Sequence, residues 1–233
     1  MNDCSTCVVR NRAICASLGT GELKLLAQLG SKQNIKRGDT LMWEGDSSPV
    51  VANIITGVLK LSVNLQDGRE QIVSVMYGSD FIGRPFGKHS PYSVTAMTDA
   101  ELCVFTRSSF DNFLLEYPDL QNKLLRRTLD ELDRARDWMT LLGKKSANER
   151  IATLLIELSE RLNMNGCDPT TPYLDRFELP MDRQQIADIL GLTIETVSRQ
   201  LTRIKQEGII DLPDRRAVII KDRNRLKSIA EVA

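Results

Sequence analysis

A chain of 233 residues, 42% hydrophobic and 27% charged, has enough material for one large domain or two modest ones and lacks the bias of a disordered polymer. Its 31 Lys and Arg balance 31 Asp and Glu, so whole-chain charge argues neither for nor against a nucleic acid. No apolar run approaches the roughly 18–20 residues of a membrane span, and MNDCSTC lacks the basic start and apolar core of a secretory leader. The expected setting is the cytoplasm, with no membrane partner.

Three of the five cysteines, Cys4, Cys7 and Cys15, fall within CSTCVVRNRAIC. In a reducing compartment, clustered cysteines point to metal or redox chemistry before structural disulfides. Spacing alone leaves a cluster, a zinc site and a Cys4–Cys7 redox pair open. GTGELKLLAQLG follows, a short helix with Leu23, Leu26, Ala27 and Leu29 on its apolar side. Between residues 32 and 105 short alternating runs recur between glycine-bearing turns. In VLKLSVN, Leu59, Leu61 and Val63 alternate with Lys60, Ser62 and Asn64, the period of a half-buried strand. Asp67-Gly68 marks a hairpin. Roughly six to eight such strands predict a small β-barrel or jelly roll. Trp43 and Trp138 read as packing residues.

From Pro118 the period becomes helical. Leu125, Thr128, Leu132, Ala135, Met139 and Leu142 form a narrow apolar seam amid charges, a pattern that favours paired helices. Gly143 is expected to end this helix. Ser146 and Glu149 form a capping box opening the next, with Ile151, Leu154, Leu155, Leu158 and Leu162 on one face. Cys167 follows in a polar loop and reads as a bystander.

MDRQQIADILGLTIETVSRQLTRIKQEGII carries the most specific pattern. Asp182 and Gln185 can cap a short helix that ends at Gly191; Thr193 can cap a second helix with Val197, Leu201 and Ile204 inward. This is a helix-turn-helix, whose second helix enters the DNA major groove. IIDLPDRRAVIIKD then reads as a two-stranded wing. Glu195 suits cytosine N4, Arg199 suits guanine O6 and N7, and Ser198 lies on the same face. Thr196, Arg203, Arg215 and Arg216 suit phosphates. The ten Lys and Arg between Arg183 and Lys227 face six acids, a mild basic excess in keeping with this.

A barrel, a seam helix and a winged helix-turn-helix in that order resemble the Crp–Fnr superfamily of dimeric transcription factors, over roughly residues 20 to 225. ETVSR, with Glu195, Ser198 and Arg199, is similar to the E-x-x-S-R signature of the FNR branch; catabolite-activator proteins carry Gly where Ser198 stands. The resemblance implies an α+β chain. Residues 1–19 would be a cysteine-rich cluster-binding segment and 20–117 a jelly-roll, cyclic-nucleotide-binding-like barrel. Residues 118–143 would be a dimerisation helix and 144–233 a winged helix-turn-helix. It also implies a homodimer on double-stranded DNA with TTGAT-like half-sites, and RNA polymerase as partner, with 67–70 a candidate contact.

Cyclic-nucleotide-binding members need a Glu after a Phe-Ile-Gly strand and an Arg-Ser/Thr pair for the phosphate. Here Arg84 follows FIG and Tyr92 stands where Arg is needed, so no cyclic nucleotide is expected. FNR proteins instead hold an oxygen-labile [4Fe–4S] cluster with three N-terminal cysteines and one in the strand that here reads ELCVF. That resemblance makes Cys4, Cys7, Cys15 and Cys103 the metal ligands. The seven-residue gap between Cys7 and Cys15 departs from the enterobacterial five and is similar to the FnrL/FnrN group of oxygen-responsive regulators. On this reading the N-terminal segment is tied to the barrel only through the bridged cysteines. Ala135 puts no charge in the seam, which leaves a dimeric apoprotein compatible with oxygen control. His89, the only histidine, has no acid–base or nucleophilic setting around it, so no enzyme is expected. A Crp–Fnr regulator with structural zinc or no cofactor, controlled by thiol state or abundance, and a C-x-x-C redox metalloprotein remain the alternatives.

Overall fold

The computed structural model describes residues 4–165 and 173–231. Cys167 lies outside the described residues. The chain divides into two compact units, Met1–Arg69 with Val73–Asp133 and Glu70–Ile72 with Arg134–Ala233.

A helix, α1 (Thr20–Leu29), leads into eight strands: β1 (Gly30–Ile35), β2 (Thr40–Met42), β3 (Val50–Thr56), β4 (Leu59–Asn64), β5 (Glu70–Met76), β6 (Phe81–Ile82), β7 (Ser93–Ala96) and β8 (Ala100–Thr106); all lie in the first unit except the first three residues of β5. They form two four-stranded sheets, β1-β8-β3-β6 and β2-β7-β4-β5, with the described pairings antiparallel. This is the jelly-roll layout that the alternation predicts. Between the sheets lies an apolar core including Ala52, Ile54, Leu59, Met76, Ile82, Val94, Leu102 and Val104. Gly57 turns β3 into β4 at φ +95°, where a Cβ would fall 2.5 Å from that of Ala100, so no other residue fits without a shift. The hairpin at Asp67-Gly68 is present, with Gly68 at φ +83° and Asp67 accepting from the Arg69 backbone N–H at 3.1 Å.

Side chains alternate across a strand. In β3 and β8 the alternation sends Ala52, Ile54, Leu102 and Val104 inward, and Val51 and Phe105 outward into a second core with Ile14, Leu18, Leu26, Phe110, Phe113, Leu114 and Leu120. Two elements of this layer escape the sequence pattern. The β1 strand reads GSKQNI and has no apolar alternation, yet β8 pairs it from Gly30↔Phe105 to Ile35↔Ala100. The helix α2 (Arg107–Glu116) precedes the helical period expected from Pro118; its buried Phe110, Phe113 and Leu114 cover the outer core. Trp43 departs from expectation: it is 57% exposed beyond the end of β2 and contributes little to packing.

The long helix α3 (Pro118–Lys144) belongs partly to each unit. It runs through Gly143, contrary to the expected break there, because the Lys145 N–H still donates to Leu141 O at 3.1 Å. A glycine in the last turn costs about 1 kcal/mol against alanine, too little to end a helix of this length. The stop comes at Ser146, whose extended backbone caps α4 (Ala147–Arg161). Its hydroxyl accepts from Glu149 N–H at 3.5 Å and its own N–H donates to Glu149 Oε2 at 2.8 Å.

The second unit continues with β9 (Arg176–Glu178), α5 (Arg183–Leu190), α6 (Ile194–Gln206), β10 (Ile210–Asp211), β11 (Ala217–Ile220) and α7 (Arg223–Glu231), the three strands ordered β10-β11-β9. Leu154, Leu155, Leu158, Ile186, Val197, Leu201, Ile204 and Leu226 are buried. Among the described residues no helix is long and apolar enough to cross a membrane.

Candidate functional site

The first candidate lies on the outer side of the barrel. Cys103 sits on β8 between two register partners, Lys32 on β1 and Asn53 on β3. Residues paired this way share a face of the sheet. Over that face lies the N-terminal segment, with two short 3-10 turns at Cys4–Thr6 and Ile14–Ser17. Cys4, Cys7, Cys15 and Cys103 thereby line one small pocket with Val9, Arg10, Ala13, Leu23, Leu26, Asn53, Ile55 and Phe105. All four cysteines are half-buried. Among the described residues, no three His, Cys, Asp or Glu side chains gather around a point fit for one metal ion.

Burial, then the charge of Cys7, pushes the Cys15 thiol up from 9.0 to about 11. Burial, then the charge of Cys4, pushes Cys103 up to about 12. Desolvation disfavours a thiolate, so both stay protonated at neutral pH unless a cation replaces the proton. Two cations oppose this. Arg10 lowers Cys15 while donating to the Cys15 and Leu18 carbonyls at 3.0 and 2.9 Å. Lys32 lowers Cys103 while paired with Glu101 at 2.8 Å.

The segment's attachment corrects one expectation. Bridged cysteines would not be its only tie: Val9, Ala13, Ile14 and Leu18 are all buried, in the apolar clusters outside the barrel. Burial of a side chain the size of Val or Leu stabilises by roughly 1.5–3 kcal/mol, so these contacts contribute to holding the segment on the barrel. Arg127 of α3 also donates to the Arg12 carbonyl, joining this segment to the long helix.

On α3 the expected seam is largely uncovered. Leu125 and Met139 are 57% and 72% exposed, Leu132 and Ala135 are exposed too, and Leu129 widens the stripe; Leu142 is half-buried. Arg150 of α4 ties the end of α3 to the helix-turn-helix, donating to Leu142 O at 2.7 Å and Leu190 O at 2.9 Å.

The second candidate is the outer face of α6. Asp182 and Gln185 exchange capping bonds at 2.9 and 3.0 Å at the start of α5. Gly191 ends that helix in the left-handed region at φ 60°, ψ 43°, and Thr193 caps α6 by accepting from Thr196 N–H at 3.2 Å. Val197, Leu201 and Ile204 are buried. Helical geometry puts Glu195, Ser198 and Arg199 opposite them, and all three are exposed. Its own backbone N–H and then the Thr193 hydroxyl hold the Glu195 carboxyl below its ordinary range, so it stands ionised, an acceptor only. Thr196 and Arg203 flank this face; Arg203 pairs with Glu207 at 2.9 Å. Arg215 and Arg216 lie at the tip between β10 and β11, where Asp214 accepts from the Arg216 and Ala217 backbone N–H groups at 2.7 Å.

Two residues here were not singled out in the sequence. Arg183 opens α5 with a buried guanidinium nitrogen that has no hydrogen-bond partner, although a cation is unfavourable at a helix N-terminus. Its signal was position in the first turn of a helix-turn-helix. Asn53 is buried in VVANIIT, a strand apolar on both faces, where one amide is conspicuous.

Comparison with known proteins follows the same division. A cyclic nucleotide-binding domain matches residues 32–117 and a Crp-like helix-turn-helix domain matches 149–229. The transcriptional activator protein FnrL of Cereibacter sphaeroides is 41% identical over 97% of this chain and 91% of its own. The nitrogen fixation regulation protein FixK of Bradyrhizobium diazoefficiens is 38% identical, covering 89% and 85%. Among solved structures, FixK2 from Bradyrhizobium japonicum superposes with a TM-score of 0.77 at 29% identity, over 88% of this chain and 98% of that one.

Proposed function

This chain belongs to the Crp–Fnr family of transcription regulators, and from that premise we propose an oxygen-responsive activator of the FNR type. It acts in the cytoplasm as a homodimer, binds TTGAT-like palindromes in double-stranded DNA under low oxygen, and holds a [4Fe–4S] cluster on Cys4, Cys7, Cys15 and Cys103. The observation that carries the reading is the meeting of these four thiols in one pocket outside the barrel.

The donor set suits a cubane, in which each iron takes one anionic sulfur ligand beyond its sulfides. The same four thiolates are also compatible with a tetrahedral zinc, which metal analysis distinguishes. When bound, the cluster supplies the oxygen-labile chemistry. The chain's own residues do the rest. Holding Cys4, Cys7 and Cys15 with Cys103 orders the thiol-bearing edge of the segment. Its Arg12 carbonyl is bonded by Arg127 of α3, so order there bears on the helix whose Leu125, Leu132, Ala135 and Met139 stripe pairs with a second copy. Because apolar contacts also tie the segment to the barrel, this reading has oxygen control work through small shifts along α3 and reorientation of the DNA-binding units, which a dimeric apoprotein allows.

Glu195 accepts from cytosine N4, Arg199 donates twice to guanine and Ser198 contacts an adjacent base. Thr196, Arg203, Arg215, Arg216 and Arg183 take phosphates, which position the helix without reading sequence. The exposed hairpin at 67–70 is the proposed contact for RNA polymerase. No cyclic nucleotide is part of this reading, because Arg84 and Tyr92 stand where the resemblance asks for the ribose and phosphate anchors.

The test is the absorption spectrum of anaerobically purified protein with iron, sulfide and zinc analysis, alongside operator binding, before and after air. A broad band near 400 nm that bleaches, about four irons per chain and binding lost with the colour are expected. A colourless protein with zinc, or with no metal after reconstitution, would overturn the oxygen-sensing reading.

A further inference from the structure

Asn53, on the outer face of the barrel, is a polar side chain without a task in the reading above. Asn53 is 3% exposed, its amide oxygen is buried with no hydrogen-bond partner, and it lines the cysteine pocket. It is the register partner of Cys103 on the neighbouring strand. Its neighbours in β3, Val51, Ala52, Ile54 and Ile55, are all apolar and buried. A buried, unpaired amide is destabilising, and an apolar side chain of similar size would avoid that cost. The other polar groups of the pocket are engaged: Arg10 on the Cys15 and Leu18 carbonyls, and the neighbouring Lys32 on Glu101.

We propose that Asn53 is a positioning residue of this pocket, its carboxamide N–H donating to a sulfur of the group that the four thiolates hold. The inference rests on the [4Fe–4S] reading. A half-turn of a carboxamide exchanges oxygen for NH2 with almost no change of shape, so either end can face the pocket. Thiolate and sulfide sulfurs are anionic acceptors, and bonds to an ion are stronger than those between neutral groups. Four thiolates concentrate negative charge on a low-dielectric wall where Arg10 is the only lining cation among the described residues. A neutral donor there offsets part of that charge without placing a second cation under the segment. Hydrogen bonds to cluster sulfurs raise reduction potential, so Asn53 sets how readily the pocket's contents are oxidised.

The experiment compares full-length wild type with Asn53→Leu and Asn53→Asp, neither of which has an N–H donor. Each is reconstituted anaerobically with ferrous iron and sulfide. Iron and sulfide content, reduction potential, Fe–S stretching frequencies by resonance Raman and the rate of bleaching in air are then recorded. Both variants should load, show a lower potential and shifted frequencies, and bleach about tenfold faster, the low end of effects from partners behind metal ligands. Metal-free Asn53→Leu should unfold at higher urea than metal-free wild type, since it removes an unpaired polar group. Potential, frequencies and bleaching unchanged in both variants would overturn the assignment, as would a metal-free Leu variant less stable than wild type. Wild type that takes up no iron and sulfide would instead sink the cluster reading, and this inference with it.

Discussion

The two faces of the β1-β8-β3-β6 sheet belong to the same strands and have opposite uses. The inner face presents Ala52, Ile54, Leu102 and Val104 to the apolar core. The outer face, one residue out of phase, presents Lys32, Asn53 and Cys103 to the N-terminal segment. The four thiols therefore lie outside the barrel, on the face opposite the apolar core. A period of two makes this possible, because adjacent residues serve different solvents and different tasks.

The comparison predicts separable losses. Cys103→Ala should abolish the cluster and anaerobic operator binding, a fall of about 10³-fold or more towards non-specific affinity, while the metal-free protein keeps its unfolding free energy within about 1 kcal/mol. Iron content, mobility shift and denaturation read this; unchanged binding would break the coupling. Leu102→Ala, one residue away on the inner face, should do the converse. It should destabilise by about 2–5 kcal/mol through a cavity with iron per folded chain unchanged. Equal iron loss in both variants would mean the faces are not independent.

Glu195→Ala tests the second unit, where sequence is read far from either sheet face. It should relax discrimination at one base pair by about 1–3 kcal/mol, measured on a set of single-base operator variants. A uniform fall on all sequences would make Glu195 structural. The smallest effect is in pH. With Cys15 raised to about 11 and Cys103 to about 12, the unfolded chain loses these protons near pH 9 while the folded metal-free chain keeps them. Their contribution to stability is whole below pH 9 and falls as pH rises from there towards 11–12. Metal-free Cys15→Ser should therefore show a shallower decline in urea midpoint between pH 8.5 and 10.5 than metal-free wild type.

Much of the architecture was legible because it depends on local chemistry. The capping boxes at Ser146–Glu149 and Asp182–Gln185, the turns at Gly68 and Gly191, and the buried Val197, Leu201 and Ile204 all stand where their residue types put them. Helix α2 and strand β1 were less visible. The first follows a strand directly and shows only three apolar anchors; the second is polar and owes its conformation to hydrogen bonds from β8. Gly143 misled because a propensity of about 1 kcal/mol loses to a helix already supported by the preceding turns.

By itself the sequence determined the kinds of element, their order and the outward face of α6, since periodicity and caps act within a few residues of one another. It also supplied three cysteines close together. Only the tertiary structure decided that Cys103 meets them with Asn53 beside it, that Arg127 reaches the Arg12 carbonyl, and that Val9, Ala13, Ile14 and Leu18 are buried where the segment docks. Those contacts join residues about 40 to 115 positions apart. Which of them form depends on strand register and packing across the whole barrel, and no local pattern carries that information.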